Sequence, residues 1–129
     1  MILLSVSVFC VFINLLVPSL PPQNVHSYNT SSTSVNVTWE VVATGFIHGI
    51  LRGYRVFYSR TKDNGAAVRQ AVIRTDKHYV HLEGLDKFTN YTIQAAAFTR
   101  IGYGAKSTKL IVSTDEDGIK FHLLPTMLK

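Results

Sequence analysis

The sequence predicts an all-β sandwich of seven strands, and three observations carry that expectation. From Leu20 to Thr114 apolar and polar residues alternate with period two, turn-forming residues recur every eight to twelve positions, and no segment carries a helical period. The chain of 129 residues is 47% hydrophobic and 16% charged, which suits one domain with a real core and excludes a disordered or collagen-like polymer. Its single cysteine, Cys10, lies in an apolar N-terminal stretch. The remainder therefore has no internal disulfide and must be held by packing.

Ile2 to Val17 form an uncharged apolar run, about one signal-peptide h-region long and short of the ~20 residues of a spanning helix. It reads as a signal peptide over residues 1–19, with Val17 and Ser19 small enough for the positions before a cut that leaves Leu20 as the mature start. An uncleaved signal-anchor, or a misplaced gene start, is the alternative. Membrane contact is expected only through this segment, if it is uncleaved.

The domain is expected over residues 20–115. Pro21 and Pro22 open it and QNVHSY makes the first strand. In the second, SVNVTWE, Val35, Val37 and Trp39 alternate with polar residues, so one face is apolar and the other wet. The third, GYRVFYS, turns Tyr54, Val56 and Tyr58 to one side and Arg55, Phe57 and Ser59 to the other. Asp63, Asn64 and Gly65 signal a hairpin, since Asn-Gly takes positive φ readily, and AAVRQAVIR pairs back as the fourth strand. HYVHLEGL supplies Val80, Leu82 and Leu85, and YTIQAAAFT supplies Tyr91, Ile93, Ala95 and Ala97 as an inward row. Gly102 and Gly104 close that strand into a loop, and KLIVST ends the domain with Leu110 and Val112 facing in. Residues 116–129 lack alternation and are expected to be a linker or a disordered tail.

PPQNV, Trp39, GYRVFY, the spacing of Leu85, Thr89 and Tyr91, the run GYG and the closing TDED together resemble a fibronectin type III module over about 95 residues. An immunoglobulin domain would need cysteines near Val37 and Ile93, and none is there. The resemblance implies an immunoglobulin-like sandwich with Trp39, Tyr54, Val56, Leu85 and Tyr91 in its core. It also implies a tyrosine corner, in which the Tyr91 hydroxyl meets the backbone upstream. Lys87 stands where the family prefers Pro. The wording is most similar to modules of large adhesion receptors and receptor tyrosine phosphatases, where TDED leads into a further module.

Catalysis finds little support. No paired carboxylates, nucleophile elbow or phosphate-cradling glycine motif is present, and no cofactor is implied. His78 and His81 are three apart on a strand and point to opposite faces, so they do not share a metal. The family's Arg-Gly-Asp and Trp-Ser-x-Trp-Ser motifs are absent. What is left is binding. Alternation places Arg55, Arg69 and Arg100 with Phe57 and Phe98 on one outer face, where aromatics between arginines have the makeup of a protein-binding hot spot. With Arg60, Lys62 and Arg74 at the strand ends, the same arginines make a patch for sulfated glycosaminoglycan as a second partner class; nucleic acid is not expected. Three sequons, at Asn29, Asn36 and Asn90, suit a secreted or cell-surface glycoprotein. Asn29 is expected in the first loop, and all three are expected to face solvent.

Overall fold

The apolar rows of the sequence face one another across two antiparallel sheets. The computed structural model describes residues 16–74 and 77–115, and these contain seven strands. The strands are β1 (Gln23–Ser31), β2 (Ser34–Glu40), β3 (Gly53–Arg60), β4 (Arg69–Ile73), β5 (Tyr79–Leu82), β6 (Asn90–Phe98) and β7 (Leu110–Ser113). One sheet has the order β1-β2-β5 and the other β4-β3-β6-β7. This is the predicted sandwich.

Between the sheets lie Val35, Val37 and Trp39 from β2, Tyr54 and Val56 from β3, and Tyr91, Ile93, Ala95 and Ala97 from β6, with Leu82 and Leu85 closing one end. Burying a Leu- or Phe-sized side chain contributes about 1.5 to 3 kcal/mol, so these rows supply the main stabilisation. The rings of Trp39 and Tyr54 meet tilted, 5.4 Å apart. The Val42 N–H donates to the Tyr54 hydroxyl at 3.4 Å, while Nε1 of Trp39 finds no acceptor among the described residues.

The tyrosine corner is present as a contact. Asp86 N–H donates to the Tyr91 hydroxyl at 2.8 Å, and Tyr91 is 1% exposed. Thr114, just past β7, locks the same turn: its hydroxyl donates to the Asp86 carbonyl at 2.7 Å and accepts from Thr89 N–H at 2.9 Å. Lys87 thus sits in a turn pinned from both sides.

Three boundaries differ from the sequence reading. β1 runs on to Ser31 because the Thr30, Ser31 and Ser34 hydroxyls satisfy one another, at 2.7 Å for each pair with Ser34. Asn29 therefore lies in a strand, not in a loop. The hairpin after β3 does use positive φ at Asn64 and Gly65, but a 3-10 turn at Thr61–Asp63 precedes them, so β4 starts at Arg69 rather than Ala66. Finally, Leu16 to Ser19, expected to leave with the leader, pack on the domain, with Pro18 fully buried. The rest of the leader and residues 116–129 lie outside the described residues.

Candidate binding face

The outer face of the four-stranded sheet is built from β3 and β6 and covered by the segment after β6. Arg55 pairs with Ala96 and Phe57 with Gln94, so their side chains leave the sheet on the same side. Tyr103 returns over this face because its backbone bridges to Phe98, Gly104 N–H donates to the Ala97 carbonyl at 3.0 Å, and Ser107 bonds to Ala95 through backbone and hydroxyl. Ala96 is on this outer face and yet fully buried.

The result is an alternation of cations and rings. The Arg55 guanidinium lies over Phe98 at 5.2 Å and Tyr103 at 5.7 Å. Phe57 and Tyr103 meet at 5.2 Å, and Lys106 Nζ lies over Phe57 at 4.2 Å and Tyr103 at 5.8 Å. Each such contact is worth about 0.5 to 1 kcal/mol where solvent reaches it, and together they orient two long cations that would otherwise be mobile. Arg55 is held further by Gln70, to which Nη1 donates at 3.3 Å. Beside this cluster opens a hollow of about 460 Å³ whose lining includes Phe57, Arg60, Thr92, Gln94, Lys106 and Lys109.

The structure revises the membership of the expected surface. Phe57 and Phe98 are 5% and 6% exposed. They are covered by the cations and by Tyr103 and are not open hot-spot rings. Arg69 pairs with Tyr58 and stacks on its ring at 4.8 Å, which puts it on the opposite side of the sheet from Arg55. The eight residues between β3 and β4 set that parity. Arg100 lies beyond the end of β6, in a separate hollow with His48, Arg52 and Thr99. Arg55 alone remains of the three arginines. Tyr103 and Lys106 replace the others; they are far from β3 in sequence and carried no periodic signal.

The sequons also divide. Asn90 is exposed and accepts from Ser113 Oγ. Asn36, on the outer face of the β1-β2-β5 sheet, donates to the Tyr28 hydroxyl at 3.1 Å and contacts His81 Nδ1 at 2.5 Å. Asn29 does not face solvent as expected. It pairs with Val35, is half-buried, and its Nδ2 donates to Asp115 Oδ1 at 2.8 Å. Among the described residues no group of three or more His, Cys, Asp or Glu is placed to hold a metal.

A family profile, the fibronectin type III domain, matches residues 20–113. The human cell adhesion molecule DSCAM is 40% identical over 101 residues, which is 78% of this chain and 5% of DSCAM. Human protein sidekick-1 is 38% identical over 102 residues, with the same shares. The third fibronectin III domain of the human KIAA0343 protein superposes with a TM-score of 0.73 at 27% identity, covering 80% of this chain and 87% of that one. The chain thus spans about 5% of the length of the curated relatives that it matches.

Proposed function

Since the chain belongs to the fibronectin type III family, we propose that it is a non-catalytic adhesion module that binds an extracellular protein through the outer face of β3 and β6. Its place is outside the cell, secreted or on the outer side of the plasma membrane. The resemblance to DSCAM and sidekick-1 supports the adhesive role, and the observation that carries the surface assignment is the Arg55–Tyr103–Lys106 cluster. A binding face gains affinity when its long side chains are ordered before the partner arrives, because their rotamer entropy is already spent. Here two cations are held over rings on a rigid sheet. The charge of the adjoining hollow, where Lys106 and Lys109 line the wall beside an Arg60 already paired with Asp63 and Asp86, supports sulfated glycosaminoglycan as the second reading. Membership of a longer multi-module ectodomain, such as that of a receptor tyrosine phosphatase, is compatible with either.

Beads coated with the full chain and offered to cultured animal cells test the proposal. Capture is expected to be lost when the cells are trypsinised, to survive heparan-degrading enzyme, and to fall at least about tenfold with Tyr103→Ala, a change of roughly 1.4 kcal/mol or more in binding. Capture that disappears with the heparan-degrading enzyme and declines steeply with salt would favour the glycan. Capture indifferent to Tyr103→Ala and Lys106→Ala would remove this face from consideration.

A further inference from the structure

Four residues on the leader side of the expected cut are built into the fold. Leu16 to Ser19 run between the Phe46–Gly49 loop and the segment from Thr99 to Ala105. On one wall Ser19 N–H donates to the Phe46 carbonyl at 2.8 Å, and the Ser19 hydroxyl contacts His48 Nε2 at 3.1 Å. On the other the Thr99 hydroxyl donates to the Leu16 carbonyl at 2.9 Å and Ala105 N–H to the Pro18 carbonyl at 3.4 Å. Pro18 between them is among the most completely buried side chains described.

Gly104 shows how closely this strap is fitted. Its φ is not positive, so its backbone does not require glycine. The requirement comes from the strap, because a Cβ there would lie 1.8 Å from the Pro18 carbonyl oxygen. At Gly102 a Cβ would meet only Val17 Cγ1, at 3.8 Å, which is ordinary contact.

We propose that Leu16–Ser19 is the closing strap of the mature module, and that any leader is cut upstream of Leu16 rather than after Ser19. A cut after Ser19 would discard a buried proline, take from the Thr99 hydroxyl the Leu16 carbonyl to which it donates, and leave Ala105 N–H without its carbonyl partner.

Expression of the full chain in animal cells, followed by N-terminal sequencing of the exported product, tests the position of the cut. The expected product begins at Leu16 or earlier; a folded product beginning at Leu20 overturns the proposal. The fit is tested by thermal melting of whichever full-length or processed product accumulates. Gly104→Ala is expected to lower the melting temperature by at least about 5 °C and Gly102→Ala by less than about 2 °C. Should Gly104→Ala fail to accumulate, Pro18→Ala provides the comparison and is expected to lose several degrees. Equal melting of both glycine variants, or a Pro18→Ala protein as stable as the parent, also overturns it.

Discussion

The two sheets turn very different outer faces to solvent although their sequences alternate alike. On β1-β2-β5 the outer side chains stay wet: Tyr28 and Tyr79 are 55% and 54% exposed, and Asn36 bonds sideways to Tyr28 and His81. On β4-β3-β6-β7 the segment after β6 folds back over the two central strands, and Phe57 and Phe98 fall to 5% and 6%, while Val72 and Ile111 on the edge strands stay exposed. Alternation decides which way a side chain points, and the loops decide whether water reaches it.

That comparison can be broken or sharpened by substitution. The interior is common to both sheets, so Trp39→Ala sets the scale, with an expected loss of about 3 to 5 kcal/mol in denaturant unfolding; a loss below about 1 kcal/mol would mean that the inner rows are wrongly assigned. Phe57→Ala on the covered face is expected to cost about 2 to 4 kcal/mol, against less than about 0.5 kcal/mol for Tyr28→Ala on the wet one. Similar values for the two would erase the distinction between the faces. Tyr91→Phe isolates one hydrogen bond, since it strands the Asp86 N–H without removing ring area, and about 1 to 3 kcal/mol should be lost; no change would deny the corner a role in stability. The smallest expected effect is on glycan occupancy in secreted protein. Glycosidase mass shifts should report carbohydrate at Asn90 and at Asn36 but not at Asn29, whose side chain shares the inner face of its sheet with Val35. Occupancy at Asn29 alone would reverse the register proposed for β1 and β2.

Much of the fold was legible because period two is a local signal. Val35, Val37 and Trp39, and likewise Tyr91, Ile93, Ala95 and Ala97, needed only their neighbours to reveal an inner face, and the Leu85-to-Tyr91 spacing marked the corner. Arg69 was misplaced because its parity depends on the length and shape of the preceding loop, where a 3-10 turn occupies residues read as strand-flanking. Asn29 was misplaced because a Ser- and Thr-rich stretch reads as a turn, whereas here its hydroxyls pair across a two-residue connection. The binding face was half legible. Arg55 and Phe57 are adjacent on one strand, but Tyr103 and Lys106 reach them through a long-range fold of the chain that no spacing encodes.

The Thr114 knot gives the module a mechanical polarity. Strain applied through Thr114 and the short β7 ladder reaches the Asp86–Thr89 turn before it reaches the hydrophobic interior, because Thr114 is bonded to that turn on both sides. The turn is thereby a clamp at the exit, held through the two hydrogen bonds of the Thr114 hydroxyl. Thr114→Val should therefore lower the unfolding force in single-molecule pulling far more, in proportion, than it lowers the melting temperature; matched losses in the two measurements would deny the clamp.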